Sequence, residues 1–214
     1  MIGDVTGERL VVIGAGGHGR EAVAIATAAG LEVVGVLDDG GADEAALTAL
    51  GVSCLGGVDW LAGAVPRPGF VAGLGQPGPR RAVVARAEAA RAGPISVVHP
   101  SASVGLAVRI GPGVVIWPHV SVTAAVTIGA HSHLNVGSSV SHDCVLGDYV
   151  TVGPGARICG SVVLEDDVWV GAGATVIQGV RVGARTVVGA GAVVLRDVGP
   201  DEVVVGMPAR PLRR

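Results

Sequence analysis

The chain has 214 residues, room for one large or two small domains, and pairs 36 Gly with a single Phe and a single Tyr. Its net charge is −3 and its 15 Lys and Arg are scattered, which argues against nucleic acid as a partner. Half of the residues are hydrophobic, yet no apolar run approaches the ~20 residues that span a bilayer, so no membrane partner is expected.

From the N-terminus, MIGDVTGERLVVIG puts acidic residues ahead of its apolar stretch, which is not a signal-peptide layout. LVVIG, residues 10–14, reads as a buried parallel strand. Gly14-Ala15-Gly16-Gly17-His18-Gly19 reads as a tight turn opening a helix over Arg20–Ala29. EVVGVLDD follows as a second strand ending in Asp38 and Asp39. A short helix over Asp43–Leu50, a strand over Phe70–Leu74 and a helix over Gly78–Ala92 come next, and Ile95–Val98 leads onward.

Gly14, Gly16 and Gly19 satisfy G-x-G-x-x-G, with Asp38 nineteen residues after the last Gly. The helix N-terminus offers N–H groups to a phosphate, and Asp38 or Asp39 offers a carboxylate to a ribose hydroxyl. A turn that needs Gly only for packing has the same pattern. A full dinucleotide site uses two βαβαβ halves, and there is room here for one, so the ligand expected is a mononucleotide moiety rather than NAD.

Every sixth residue from Val98 to Val194 is Val, Ile or Leu, seventeen in succession. The position four further on is always Ala, Val, Ser, Cys or Thr, and Gly follows the aliphatic residue in eight of the seventeen repeats. A helix has no use for a period of six; this is the hexapeptide signature of a β-helix solenoid. Each hexad is one short strand and a corner, three hexads close a triangular coil, and residues eighteen apart stack. The aliphatic and small residues point inward, and the Gly is expected to permit the tight corner backbone. The domains expected are 1–95, Rossmann-like; 96–199, solenoid; and 200–214, a C-terminal cap segment.

The repeat contains His99, His119, His131, His133 and His142, no two of them eighteen apart, so three do not converge on a zinc ion. Cys54, Cys144 and Cys159 have no metal-ligand spacing either, and Cys144 holds an inward small position, where packing is its expected role. No metal is expected, and the chain reads as soluble, reducing and cytoplasmic. His142 differs from the other histidines. It lies in Ser141-His142-Asp143-Cys144 at a corner, between the column neighbours Ala124 and Gly160, whose small size leaves open space beside the ring. Asp143 is adjacent and suited to hold the imidazole tautomer and raise its basicity. A solvated corner histidine fits the spacing alone equally well.

These stretches carry a resemblance: VIGAGGHGR (12–20), Leu37-Asp38-Asp39, Gly73-Leu74-Gly75-Gln76, His99-Pro100-Ser101-Ala102, VSHDCVLG (140–147) and VGMPAR (205–210). Together they resemble the bacterial sugar acyltransferases of the left-handed β-helix class, in the branch of nucleotide-amino-sugar N-acetyltransferases and sialic acid O-acetyltransferases. The resemblance implies a left-handed parallel β-helix after a small Rossmann-like domain, assembled as a homotrimer with active sites between subunits. It implies His142 as general base with Asp143 supporting it, although many relatives have Glu there. It places the nucleotide-linked sugar on Gly16, Gly17, His18, Asp38, Asp39 and Gly75, and acetyl-CoA, the co-substrate, against Ala172 and Ala190. A second histidine found in some relatives corresponds to Thr151, which puts that contact in doubt.

The expected activity is therefore acetyl-CoA-dependent N-acetylation of a nucleotide-linked amino sugar, without a covalent enzyme intermediate. O-acetylation of a sialic acid or related sugar is the nearest alternative. A non-catalytic nucleotide-binding scaffold is a second, and an NAD-dependent oxidoreductase, which leaves the solenoid without a role, a third.

Overall fold

Leu10, Val11, Val12 and Ile13 are no more than 1% exposed, as a strand covered on both faces requires. They form β1 (Arg9–Ile13), the centre of a parallel sheet between β2 (Glu32–Leu37) and β3 (Gly69–Ala72). Helix α1 (Gly17–Ala28) joins β1 to β2, α2 (Glu44–Thr48) follows β2, and α3 (Pro77–Ala89) follows β3. The computed structural model describes residues 7–212, with one compact unit ending at Pro100 and a second beginning at Ser101. Residues 1–6, which carry the N-terminal charge pattern, and 213–214 of the cap segment lie outside the described residues. No helix among the described residues is long and apolar enough to cross a membrane.

Several features depart from the sequence reading: α2 is Glu44–Thr48 rather than Asp43–Leu50, β3 Gly69–Ala72 rather than Phe70–Leu74, and α3 Pro77–Ala89 rather than Gly78–Ala92. Helix α1 begins at Gly17 rather than Arg20, because the glycine stretch itself forms the first turn. A 3-10 helix over Val58–Ala62 was not foreseen, although the three-residue spacing of its buried Val58 and Leu61 suits one.

The glycine turn is held by backbone contact. Gly14 has φ +111°, a Cβ on Gly19 would lie 1.8 Å from the Gly14 carbonyl oxygen, and one on Gly73 would lie 2.6 Å from the Gly19 Cα. Nothing flexible can move aside there. Gly19→Ala is expected to destabilise the protein by about 3 kcal/mol, read as a lower midpoint in thermal unfolding; an unchanged midpoint would contradict this packing.

The second unit is a parallel left-handed β-solenoid of about six turns. One face stacks Val115–Ile116, His133–Leu134, Thr151–Val152, Trp169–Val170 and Val187–Val188, the next runs from Ser103–Val104 to Val193–Val194, and the third from Arg109–Ile110 to Arg181–Val182. Neighbours in each stack are eighteen residues apart, as in His133 beside Thr151. The inward aliphatics from Ile116 to Val194 are no more than 1% exposed. The start of the series differs: Val104 is 39% exposed and Val98 and Ile110 are half-buried, since Val104 and Ile110 head their faces and a coil covers them from one side only.

The corners also work differently from the expectation. Positive φ recurs at every sixth residue from Ala107 to Gly191, three after the inward aliphatic, and residues as varied as His119, Asp143, Tyr149 and Arg185 adopt it. The glycines directly after the aliphatic residue serve coil-to-coil approach instead. A Cβ on Gly129 would lie 2.4 Å from the Gly147 carbonyl carbon, and one on Gly171 would lie 2.6 Å from the Ala190 nitrogen. At the C-terminus Val203–Val205 extends the first face and pairs antiparallel with Arg210–Pro211.

Candidate functional site

At the C-terminal ends of β1 and β2, the glycines divide into two groups. Gly14 and Gly19 are accounted for by packing. Gly16 (φ −67°) and Gly17 are not: a Cβ on either would meet nothing within 4 Å. They leave open ground at the start of α1, where first-turn N–H groups and the helix dipole favour an anion. Beside them is the half-buried His18 ring, whose Nδ1 would lie 3.8 Å from a Cβ placed on Gly75. Burial, and secondarily the charge of Arg80, lower the His18 pKa from 6.5 to about 4.

That shift has a measurable sign. Between pH 6.5 and about 4 the unfolded chain binds a proton that folded His18 refuses, so this group's contribution to stability is intact above 6.5 and lost as pH falls toward 4. In thermal melts at pH 7.5 and 4.5, His18→Gln is expected to lose less stability than the wild type; equal losses would contradict the shift.

Asp38 and Asp39 frame the same end of the sheet, already engaged. Asp38 accepts the Ala15 N–H through Oδ2 at 2.7 Å and the Gly40 N–H through Oδ1 at 2.8 Å, bracing the glycine turn. Asp39 Oδ1 accepts the Val58 N–H at 3.1 Å and is paired with Arg86, whose Nη2 also reaches Asp59 at 2.8 Å. The Arg86 hydrogen bond, then that of Val58, holds the Asp39 carboxyl below the usual carboxylate range. Both Asp38 oxygens and Asp39 Oδ2 accept one of these bonds each and keep a further lone pair for a hydroxyl donor, whereas Asp39 Oδ1 already accepts two. Between them lies a cleft of about 120 Å³ with Gly14 at its base and Val58, Leu74 and Val83 as apolar walls. Arg86, Asp59 and Val58 had no sequence signal, because only the fold brings them to Asp39.

On the solenoid, His142 occupies the corner between the second and third faces. Its side chain is 65% exposed, and Nδ1 lies 2.8 Å from Asp143 Oδ2. In the neutral ring the carboxylate accepts from Nδ1–H, and Nε2 is then the nitrogen without a proton. Ladder bonds fix the backbone on both sides: Ser161 N–H donates to the His142 carbonyl at 2.8 Å and Asp143 N–H to the Ala124 carbonyl at 3.1 Å. The open space expected beside the ring at Gly160 is occupied by the ring, since a Cβ on Gly160 would lie 2.6 Å from both Cε1 and Nε2. Asp143 adopts φ +61°, a conformation Asp tolerates well.

Ala172 and Ala190 are exposed and stacked, with Gly191 N–H donating to the Ala172 carbonyl at 2.8 Å. They occupy the corner between the first and second faces, so one chain does not bring them beside His142. Thr151, on the first face and 3% exposed, is not brought there either. Of the remaining histidines, His131 stacks on Tyr149 at 5.1 Å between ring centres and His133 packs on Trp117 at 5.2 Å. Among the described residues, no three His, Cys, Asp or Glu side chains are grouped to hold a metal ion. Cys144 is fully buried, and burial raises its thiol pKa.

Residues 9–87 match the family model of the PglD N-terminal domain, and residues 125–160 and 161–196 match that of the bacterial transferase hexapeptide (six repeats). No curated protein matches the chain. Among solved structures, a histidine variant of GDP-perosamine N-acetyltransferase from Caulobacter crescentus, bound to CoA and GDP-perosamine, is 31% identical, with 96% of this chain and 97% of that one covered and a TM-score of 0.90. The acetyltransferase domain of PglB from Neisseria gonorrhoeae, in complex with acetyl coenzyme A, is 28% identical over 96% of this chain and 100% of that one, with a TM-score of 0.84. WeeI from Acinetobacter baumannii is also 28% identical, with the same coverage and a TM-score of 0.86.

Proposed function

The chain belongs to the hexapeptide-repeat sugar acyltransferases that carry a PglD N-terminal domain before a left-handed β-helix, and on that footing we propose that it transfers acetyl from acetyl-CoA to the amino group of a nucleotide-linked amino sugar. The observation that carries this is the likeness, over nearly the full length of both chains, to an N-acetyltransferase bound to CoA and GDP-perosamine. The glycine turn, cleft and corner imidazole supply the matching parts.

In this reading Gly16, Gly17 and His18 receive the phosphates, and Asp38, Asp39 and Gly75 surround the rest of the nucleotide. The sugar amine attacks the thioester carbonyl carbon while His142 Nε2 takes the proton from nitrogen, and Asp143 steadies the imidazolium that forms. As the tetrahedral intermediate collapses, the carbon–sulfur bond breaks and the proton passes from His142 to the CoA sulfur. Corner N–H groups are suited to steady the oxyanion. Acetyl-CoA lies along the corner of Ala172 and Ala190. Because that corner is not His142's, the site is completed by a neighbouring solenoid in a homotrimer. We place the reaction in the cytoplasm, where acetyl-CoA is available.

The test is thiol release from acetyl-CoA across GDP- and UDP-linked amino sugars and free sialic acid. Turnover on an amino sugar is expected. Turnover on sialic acid alone would move the activity to O-acetylation, and nucleotide binding without turnover on any acceptor would make the protein a scaffold. Sedimentation of the active species as a monomer would overturn the trimer.

A further inference from the structure

Arg80 lies in α3 with none of its surface exposed. A guanidinium leaves water only where the interior gives it partners. Here Nη1 donates to the Leu74 carbonyl at 2.8 Å and the Gly75 carbonyl at 3.1 Å. Both carbonyls belong to the loop joining β3 to α3. Since a trans peptide points its C=O and N–H in opposite directions, the same bonds turn the N–H groups of Gly75 and Gln76 away from the guanidinium.

This loop also forms one side of the glycine turn. A Cβ on Gly73 would lie 2.6 Å from the Gly19 Cα, and one on Gly75 would lie 3.8 Å from the His18 Nδ1, so the loop closes on both. The same buried guanidinium is thus tied to the floor under His18 and close enough to oppose its protonation.

We infer that Arg80 is a positioning residue of the nucleotide site, fixing from inside the domain the Leu74–Gly75 backbone and, through it, the His18 ring in the first turn of α1. The inference rests on reading Gly16, Gly17, His18 and Gly75 as nucleotide contacts. A neutral His18 meets a diphosphate as a hydrogen-bonding group rather than as a cation, so in the wild type it adds nothing to the pH dependence that the nucleotide's own terminal phosphate, with a second ionisation at about pH 6, gives between pH 5.5 and pH 8. Without Arg80 the loop loosens and His18 protonates at higher pH, so affinity becomes weaker overall and rises relative to the wild type as pH falls.

Calorimetric titration of the full-length protein with GDP and UDP, at both pH values, tests this, with acetyl-CoA as control and NMR titration of His18 alongside. Arg80→Met is expected to raise the nucleotide Kd by about tenfold or more at pH 8, to leave the acetyl-CoA Kd unchanged, and to move His18 protonation upward. Arg80→Lys, keeping a charge and a donor, is expected to recover part of the affinity. Unchanged nucleotide affinity in folded Arg80→Met overturns the inference alone. Wild-type protein that binds acetyl-CoA but neither nucleotide overturns the nucleotide-site reading and the inference with it. Should Arg80→Met not fold, Arg80→Gln, which keeps a donor and loses the charge, and the wild-type His18 titration decide: wild-type Kd and pH profile in the glutamine variant, or ordinary titration of wild-type His18 near 6.5, overturns the inference.

Discussion

His142→Ala is expected to lower kcat by roughly 10²–10⁴ while leaving the thermal midpoint unchanged. The two halves of that result have separate causes. Stability is indifferent because the ring stands on an outer corner with its side chain 65% exposed, and the ladder bonds at this corner are made by backbone atoms. Turnover falls because the amine must lose a proton as it attacks, and Nε2 is the basic nitrogen that the Asp143 contact leaves available. KM for acetyl-CoA is expected to stay near the wild-type value, since the imidazole acts on the amine proton and not on the proposed acetyl-CoA contacts Ala172 and Ala190. Steady-state kinetics with a thiol-release assay, beside a melting curve, checks both halves. A loss below tenfold in folded protein would remove His142 from the base role.

Gly160→Ala is expected to cost about 10² in kcat with the fold intact, because a displacement of about 1 Å at a reacting group is enough for that loss. The new methyl would stand 2.6 Å from two atoms of the His142 ring. Backbone does not have to give way, since the ring is exposed and swings aside, taking Nε2 from its place and loosening the contact with Asp143. The same substitution at Gly171 would strike the Ala190 backbone at 2.6 Å and harm folding instead. Comparing kcat and melting point across the two variants separates positioning of the base from packing of the coils. Wild-type turnover in Gly160→Ala would show that the observed ring position is not the working one.

The solenoid was legible because its determinants are local: one aliphatic and one small residue per hexad specify both the strand and the side it buries. What depended on the residue eighteen positions away was misread. The glycines after the aliphatic residues look like corner residues in one dimension, yet their corners are made two residues later, and Gly is needed where the next coil presses in. His142 and its column neighbour Gly160 were found from register, but that the ring would occupy the gap over Gly160 depends on a side-chain rotamer that spacing does not specify. In the N-terminal unit the G-x-G-x-x-G pattern gave strand, turn and helix. It did not separate the packing glycines, Gly14 and Gly19, from the open ones, Gly16 and Gly17. Nor did it show that Asp39 is already committed to Arg86, 47 residues along the chain.

Stacking at eighteen residues makes the chemistry of this chain quantised in length. A duplication of one whole coil between Gly160 and Ala172 adds a storey and returns every later residue to its own corner, so His142 and the Ala172–Ala190 pair keep their separate columns. A gain of a single hexad preserves the hydrophobic rhythm equally well and yet turns everything beyond it by a third of a revolution, carrying Ala172 and Ala190 into the column of His142. A whole-storey change beyond that stretch leaves His142 and Ala172 at their present heights, whereas one between them moves the two apart by about 4.8 Å along the axis. Indels of one hexad, invisible to any count of buried aliphatics, rewrite which surfaces face each other.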